Sequence, residues 1–429
     1  MSRWWLLVLA GFLSTEAFAV VRFTNAVSVV LGEQARPPLA MVDVNNDGRL
    51  DLLAGRNVFL QGSNGALGGA TVFSNDVPII NVVTGDFNAD GNIDVLRFTN
   101  VWMGAGDGNF ALHGSVPWAL YDSPYDDLRV ADGDKDGRLD LVTCHEGVMQ
   151  VWLGNGAGGF ARAAGSNYLE QAWGKLDTGD FNRDGVLDVA FYRGEYSQTN
   201  TVLVLTGKGD GTFTNVTGYA RPGYDRAYLR VADLNLDDVP DVVVAGEYIA
   251  EAQVFLGESN GLANAQSSGF NSGSPIQLAD VNGDGYLDQL RINFQGLLVG
   301  LGRGDGTFTN QPVMTLPGTN FPSGNFAVGD YNGDLKTDIV VRDGNTLIVL
   351  TNCSDMAESA PRLAFHSRGP DVLRWPVASN GFFGLEFRSS LNSNFQWTAV
   401  SGVPVQRGTN FFATNAPITL RGYYRLRRF

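Results

Sequence analysis

Cysteine and histidine are scarce in this sequence, with two cysteines and three histidines among 429 residues. Cys144 and Cys353 cannot form the dense disulfide framework that holds small secreted domains together. The histidines, His113, His145 and His366, are too far apart for a zinc site and lie near no repeated carboxylate pair. A chain of this length can instead bury a core large enough for stability.

Long apolar runs are absent beyond the N-terminus. The first 19 residues, MSRWWLLVLAGFLSTEAFA, place Arg3 before a short apolar run and end in a small-residue cleavage pattern. We interpret residues 1–19 as a secretory signal peptide and expect no transmembrane segment in the mature chain. The protein is therefore expected outside the cytoplasm, secreted or periplasmic, where a bridge between the two cysteines is permitted but not required.

Acidic side chains are abundant and are concentrated in one repeated motif. It reads DVNNDGRLD, DFNADGNID, DGDKDGRLD, DFNRDGVLD, DLNLDDVPD, DVNGDGYLD and DYNGDLKTD, starting at Asp43, Asp86, Asp132, Asp180, Asp233, Asp280 and Asp330. Positions 1, 3, 5 and 9 are Asp or Asn in every copy. Carboxylates so closely spaced repel one another unless a cation lies among them, and hard oxygen ligands at this spacing suit Ca²⁺.

We therefore predict up to seven structural Ca²⁺ ions, with a backbone carbonyl at position 7 as a further ligand. Seven divalent ions would offset almost all of the formal net charge of −15. The predicted metal ligands are Asp43, Asn45, Asp47, Asp51, Asp86, Asn88, Asp90, Asp94, Asp132, Asp134, Asp136, Asp140, Asp180, Asn182, Asp184, Asp188, Asp233, Asn235, Asp237, Asp241, Asp280, Asn282, Asp284, Asp288, Asp330, Asn332, Asp334 and Asp338.

The spacing of the motif predicts the fold. Successive copies start 43 to 53 residues apart, which is the period of a propeller blade. Each loop is flanked by apolar strand patterns and followed by a glycine-rich hairpin such as VLTGKGDGTFT from Val204. Each repeat thus indicates four strands, with no helix. The last copy lacks its fourth strand, and the mature N-terminus carries the matching FTN from Phe23, so we expect it to complete the seventh blade.

These loops, together with the LGxGDGTF-type hairpins, resemble the FG-GAP/VCBS repeat family, known from integrin alpha subunits and many secreted bacterial proteins. The resemblance covers residues 20–353. It implies an all-β, seven-bladed β-propeller with Ca²⁺ bound between the first and second strands of its blades. Two copies depart from the motif, because Asp238 and Leu335 replace the glycine at position 6. Since leucine tolerates a left-handed backbone poorly, we expect the seventh site to be the weakest.

Residues 361–429 form a compositionally distinct segment, with nine arginines and only Asp371 and Glu386 as acids. Its aromatic and polar residues alternate between turn signals, so we predict a small antiparallel β-module. A basic face of this module could dock on the propeller, on anionic polysaccharide or on a cell envelope, or could be an ordinary solvated face.

The connections between blades suggest a binding surface. Three of them are long and rich in aromatic and basic residues, which can contact sugar rings or partner side chains. The alternative is that these aromatic residues cap the packing of the blades. The predicted ligand-binding residues are Tyr125, Arg129, Trp173, Lys175, Tyr228 and Arg230.

Three functional hypotheses remain open. The first is a non-catalytic module that binds or adheres to extracellular glycan or protein, and the scarcity of histidine favours it. The second is a polysaccharide lyase or hydrolase, and the third is a structural component of the envelope. Two short motifs add little: Ser259 in GESNG and the tripeptide from Arg303 to Asp305 are both further copies of the blade hairpin.

Overall fold

The structure is a computed structural model. It describes residues 21–31, 39–73, 82–117, 127–145, 148–165, 173–194, 200–221, 227–246, 251–258, 261–271, 275–293, 295–316 and 322–354, and beyond these only the backbone of seven strands between residues 364 and 428. Every regular element in these ranges is a β-strand, as expected. The described residues include no helix long and apolar enough to cross a membrane.

Thirty strands belong to the repeat region. They are β1 (Phe23–Val30), β2 (Leu39–Val42), β3 (Asp51–Ala54), β4 (Asn57–Gln61), β5 (Leu67–Val72), β6 (Val82–Gly85), β7 (Asp94–Arg97), β8 (Asn100–Gly104), β9 (Phe110–Ser115), β10 (Asp127–Ala131), β11 (Asp140–His145), β12 (Val148–Gly154), β13 (Phe160–Arg162), β14 (Trp173–Gly179), β15 (Asp188–Gly194), β16 (Asn200–Gly207), β17 (Phe213–Arg221), β18 (Ala227–Ala232), β19 (Asp241–Gly246), β20 (Glu251–Phe255), β21 (Gly257–Glu258), β22 (Gly261–Leu262), β23 (Gln266–Asn271), β24 (Ile276–Ala279), β25 (Asp288–Asn293), β26 (Gly296–Gly302), β27 (Phe308–Asn310), β28 (Pro322–Gly329), β29 (Asp338–Asp343) and β30 (Thr346–Asn352).

These strands form seven four-stranded antiparallel sheets, one for each repeat. In blades 1 to 4 and in blade 6 the strand order follows the chain, whereas blade 5 inserts the short ribbon β21–β22 between its third and fourth strands. The first strands of the blades are β2, β6, β10, β14, β18, β24 and β28. Each contacts the first strand of the next blade, and β28 contacts β2. The seven inner strands therefore form a closed ring around a central channel.

The N-terminal strand closes the ring, as the FTN match predicts. Strand β1 pairs antiparallel with β30, from Phe23 opposite Asn352 to Val30 opposite Thr346. The contact continues past the strands, because the Arg22 backbone N–H donates to Ser354 Oγ at 2.8 Å. Ser354 is only 1% exposed. The contacts of the closing strand thus include Ser354, next to the predicted boundary at residue 353.

The core consists of seven apolar clusters, one between each pair of adjacent blades. Alternate residues of a strand face opposite sides, so the second strand of every blade except blade 6 contributes to two clusters. Leu52 of β3 packs against blade 7 beside Val349, while the adjacent Leu53 packs against blade 2 beside Trp102. Because blade 7 packs on blade 1 in the same way as the others pack on their neighbours, the ring has no open seam.

Seven further strands follow the propeller: β31 (Ala364–His366), β32 (Val372–Pro376), β33 (Phe383–Arg388), β34 (Thr398–Ala399), β35 (Val405–Arg407), β36 (Asn410–Ala413) and β37 (Tyr423–Arg428). They form two antiparallel sheets, β31–β32–β36–β35 and β34–β33–β37. Among the described strands, these pair only with one another. The separate β-module at residues 361–429 stays a prediction.

Candidate functional site

The seven acidic loops all occupy the same place in their blades. Each connects the inner strand to the second strand, and the aspartate at position 9 is the first residue of that second strand. The loops of neighbouring blades also touch. Asn46 Nδ2 of the first loop donates to Asn92 Oδ1 of the second at 2.8 Å, and Thr337 Oγ1 of the seventh donates to the Asp280 carbonyl of the sixth at 2.9 Å. The loops therefore lie along one rim of the channel, where these two neighbouring pairs are in contact.

Hydrogen bonds within each loop turn the oxygens of positions 1, 3 and 5 toward one another. In the second loop, the backbone N–H of Asp90 donates to Asp86 Oδ1 at 3.1 Å and to Asn88 Oδ1 at 3.0 Å. The N–H of Gly91 donates to Asp86 Oδ2 at 2.9 Å. Such turns require left-handed backbone at positions 4 and 6. Asp238 and Leu335, which replace glycine at position 6, adopt φ of 65° and 68° as expected.

The aspartate at position 9 has a distinct environment. In all seven loops its side chain is fully buried. In blade 4, Asp188 Oδ2 accepts the N–H of Phe181 at 2.9 Å, and Oδ1 accepts the N–H of Gly207 at 2.8 Å. One carboxylate thus joins the loop to the end of the third strand, and the other six blades repeat this pair of bonds. These residues remain predicted ligands, and they also staple the blade.

Burial and mutual repulsion act on these carboxylates. Burial is the main cause that raises the pKa of Asp188 to about 6 and that of Asp288 to about 8, against the opposing effect of the backbone N–H groups. Other aspartates of the same loop raise both further. In the third loop, burial and the charges of Asp136 and Asp132 raise the pKa of Asp134. A divalent cation among these oxygens would remove that repulsion.

The donor set fits a hard divalent cation. Carboxylate oxygens of Asp132, Asp134 and Asp136 lie within 4.8 Å of one another. In the other six loops an asparagine amide oxygen takes the place of the Asp134 carboxylate. An all-oxygen set of this kind is the one Ca²⁺ prefers. Bound there, the ion would supply positive charge that holds the turn together.

Arginine at position 7 is a feature that the sequence reasoning missed. Arg49 and Arg138 each donate from Nη2 to the position-5 carboxylate of their own loop, Asp47 and Asp136. The signal was a basic residue two positions after that aspartate. These two guanidinium groups already neutralise part of the charge of the first and third loops.

Five of the six predicted ligand-binding residues lie on inner strands of adjacent blades, and the side chains of four of them are described. Arg129 is on β10, Lys175 on β14, and Tyr228 and Arg230 on β18. Trp173 begins β14, but its side chain lies outside the described residues, as does all of Tyr125. Blades 3, 4 and 5 are consecutive, so the structure brings these four positions to one side of the channel.

Two carboxylates, Asp127 and Asp177, lie beside these basic residues, and the sequence analysis missed both. Arg129 donates from Nη1 to Asp127 Oδ1 at 2.7 Å and from Nε to Asp177 Oδ1 at 2.8 Å. The second oxygen of Asp127 accepts the N–H of Leu176 at 3.2 Å, and that of Asp177 accepts the N–H of Val231 at 3.0 Å. Each carboxylate therefore caps an inner-strand edge of the next blade. We call Asp127, Arg129, Lys175, Asp177 and Arg230 the charged wall.

The charges of the wall stabilise one another. Burial alone would raise the pKa of Asp127, but Arg129, Lys175 and Arg230 outweigh it and lower that pKa. Burial would likewise lower the pKa of Arg129, but Asp127 and Asp177 outweigh it and raise the value. Arg230 behaves differently, since burial and the charge of Arg129 lower its pKa.

The structure describes most of the other residues that were singled out in the sequence. Asp305 Oδ1 accepts the N–H of Thr307 at 2.9 Å and is thus engaged in its own hairpin. Ser259 lies outside the described residues, and His113 is exposed. Cys144 is buried, Cys353 is exposed, and neither forms a disulfide.

The fold defines the class: seven four-stranded blades, closed by an N-terminal strand, make a seven-bladed β-propeller. The family model of the FG-GAP-like repeat matches residues 132–191 and 280–341, and each match runs from the start of one acidic loop past the next. The chain is thus a seven-bladed β-propeller that contains FG-GAP-like repeats, as the motifs predict.

Solved structures with a similar fold include a lectin from Agrocybe aegerita that recognises non-reducing terminal N-acetylglucosamine. It is 18% identical, covers 74% of this chain and 88% of its own, and has a TM-score of 0.49. The Pan2 WD40 domain of Neurospora crassa is 13% identical, with 79% and 98% covered and a TM-score of 0.47. At these scores the similarities carry no argument about ligands. No curated protein matches the chain.

Proposed function

We propose that this propeller is an exported, calcium-stabilised module that binds an extracellular glycan or protein at the charged wall, without catalysing a reaction. The observation that carries the proposal is the convergence of Arg129, Lys175 and Arg230 on three adjacent inner strands. A concave site with a few convergent polar groups is where proteins commonly hold their ligands.

The charged residues of the inner strands lie on one side of the channel, and this uneven distribution supports the proposal. Strands β2, β6, β24 and β28 carry no charged residue along their described lengths. All charged residues of the seven described inner strands therefore belong to β10, β14 and β18. Blade packing alone would not require charge in only three of seven equivalent strands. A localised charged wall is what a binding site for one side of a ligand requires.

The protonation of the wall favours binding over hydrolysis. A glycosidase needs a carboxylic acid whose pKa is raised so that it can donate a proton. Asp127 has the opposite shift, and it shares Arg129 with Asp177. Both carboxylates hold backbone N–H groups of neighbouring blades as well. The pair is thus engaged in structure, and a polysaccharide-degrading activity becomes the alternative that the experiment tests.

Calcium and export belong to the proposal in different ways. The oxygen-rich loops support a structural Ca²⁺ role, because a bound ion converts binding free energy into folding free energy. The N-terminal apolar run and the low cysteine count are compatible with an exported protein of the secreted bacterial type. The nine arginines of residues 361–429 offer a further contact to an envelope surface.

The test is retention of the mature protein on immobilised acidic and neutral polysaccharides with calcium present, while released oligosaccharide is monitored. We expect retention without release. Substitution Lys175→Met should weaken retention several-fold, whereas Lys208→Met, which removes an exposed lysine from the hairpin of the same blade, should not. Release of oligosaccharide would favour the enzyme instead. If neither the wild type nor any variant is retained on any matrix, glycan binding is contradicted. Binding to a protein partner is then the part of the proposal that remains.

A further inference from the structure

Opposite charges alternate along the channel wall from blade 3 to blade 5. Asp127 and Arg129 lie on β10, Asp177 on β14 and Arg230 on β18. Arg129, Asp177 and Arg230 share one register, because each lies three residues before the first aspartate of its loop. Within this series Arg129 hydrogen-bonds to a carboxylate on each side. The series ends at Arg230 with a positive charge.

Arg230 has fewer partners than Arg129. Among the described residues, its hydrogen bond is the one from Nη1 to its own neighbour, the Leu229 carbonyl, at 2.9 Å. Arg129 makes the equivalent bond to the Leu128 carbonyl at 2.9 Å and adds both carboxylates. A guanidinium group offers several N–H donors in a planar fork. The charges of Asp177 and Asp127 act on Arg230, but among the hydrogen bonds of the described residues neither carboxylate accepts one from it.

Blade 6 does not supply the next carboxylate. The residue at the same register of β24 is Gln277, three residues before Asp280. Its Nε2 donates to the Phe326 carbonyl of blade 7 at 3.4 Å. Since β24 contacts β18, Gln277 occupies the place where an acidic side chain would complete the alternation. A neutral amide there leaves the charge of Arg230 without an anion from the next blade.

We propose that Arg230 binds the carboxylate of an acidic saccharide, which takes the place of the missing acid between blades 5 and 6. This inference deepens the proposed function and rests on the channel being the binding site. A carboxylate matches the planar fork of arginine in a bidentate way. The wall itself contains one arginine–carboxylate contact of this kind, from Arg129 Nε to Asp177 Oδ1 at 2.8 Å, and the ligand carboxylate would contact Arg230 in a similar way.

A saccharide fits this wall better than an acidic peptide does. An extended peptide would bind an inner-strand edge through backbone hydrogen bonds. The N–H groups of Leu176 and Val231 on those edges already donate to Asp127 and Asp177. Tyr228, two residues before Arg230 on the same face of β18, is partly exposed and offers an aromatic ring beside the guanidinium. A ring that bears a carboxylate uses both groups.

The first test measures binding of a galacturonic acid trimer and of its methyl ester by titration calorimetry, in the presence of calcium. We expect the acid to bind and the ester to bind at least tenfold more weakly. Arg230→Gln should lower the affinity for the acid by roughly tenfold to a hundredfold. The matched control Arg303→Gln removes an exposed hairpin arginine and should leave the affinity unchanged.

A second variant tests the site without removing Arg230. Gln277→Glu places a carboxylate at the position of β24 that now holds a neutral amide. It should pair with Arg230 and abolish trimer binding while the protein stays folded. Unchanged trimer binding in either Arg230→Gln or Gln277→Glu would overturn the inference. Binding of poly-glutamate but not of the trimer would overturn it in favour of an acidic peptide. Retention on neutral polysaccharide without trimer binding would overturn it and leave the proposed function standing.

Discussion

The last aspartate of each acidic loop differs from the others in what its carboxylate holds. Asp188 accepts two backbone N–H groups in the interior of blade 4, whereas Asp184 lies at the exposed tip of the same loop. We predict that Asp188→Asn lowers the free energy of unfolding by about 2 kcal/mol or more with or without calcium, because its amide presents a donor to a buried donor. Chemical denaturation in calcium and in chelator measures this.

The matched variant is Asp184→Asn. It removes charge from a predicted ligand position and touches no buried strand, so it should reduce only the stability gained from calcium. If Asp188→Asn lost stability only in the presence of calcium, its carboxylate would act as a ligand and not as a staple.

Leu335 is a loop residue whose side chain strains the backbone. It has φ of 68° at position 6, where five of the other loops have glycine. A left-handed leucine costs about 1–2 kcal/mol, so Leu335→Gly should stabilise the protein by roughly 0.5–1 kcal/mol after the greater chain entropy of glycine is subtracted. It should also raise the calcium affinity of the seventh loop.

The reciprocal substitution is the control. A Cβ on Gly285 of the sixth loop would meet no atom within 4 Å, so Gly285→Leu adds backbone strain without a clash at its Cβ. It should destabilise the protein by a similar amount. Thermal melts of both variants that shift in the same direction would refute the backbone argument.

At the level of the strands, the features that recur in every repeat were predicted from the sequence, whereas the carboxylates of single inner strands were not. The loops and hairpins repeat, so the blades could be recognised from them. The closing strand β1 could be recognised from the FTN match. Asp127 and Asp177 belong to no repeated motif, and their partners come from neighbouring blades. Aligning the inner strands on the first loop aspartate would have revealed the alternating charges. Separate blades become neighbours only through tertiary packing.

The closing strand leads to a prediction about the end of the propeller. Ser354 Oγ accepts the N–H of Arg22, and its carbonyl accepts Lys336 Nζ at 2.8 Å. A chain that ends at Ser354 should stay folded and cooperative without the module predicted at residues 361–429. A chain that ends at Cys353 loses these bonds and should melt a few degrees lower.

Differential scanning calorimetry of the two truncated chains checks this prediction. Full-length Ser354→Ala, which introduces no new chain terminus, separates the loss of the hydroxyl from the effect of an added carboxylate at the C-terminus. An insoluble product from the chain ending at Ser354 would show that the propeller needs residues beyond it.

Charge is unevenly distributed over the whole molecule. Residues 361–429 carry nine arginines and two acids, although the chain as a whole has a formal charge of −15. The negative charge therefore lies in the propeller, and the seven loops concentrate much of it on one rim. Repulsion of this kind destabilises a compact state unless counter-ions bind. Because each loop also joins two strands of its blade, we expect charge repulsion on the rim to destabilise the ring of blades.

Chelation should therefore unfold or severely destabilise the propeller. A site saturated at about a hundred times its Kd contributes ~2.7 kcal/mol, and seven such sites together would exceed the whole stability of an ordinary domain, about 5–15 kcal/mol. We predict a steep fall in Tm in chelator, full recovery with excess Ca²⁺, and little recovery with Mg²⁺, which dehydrates reluctantly and demands a stricter geometry. Circular dichroism melts measure all three. A Tm that is unchanged in chelator would show that the loops fold without metal and would leave the position-9 staples and the interblade core as the source of stability.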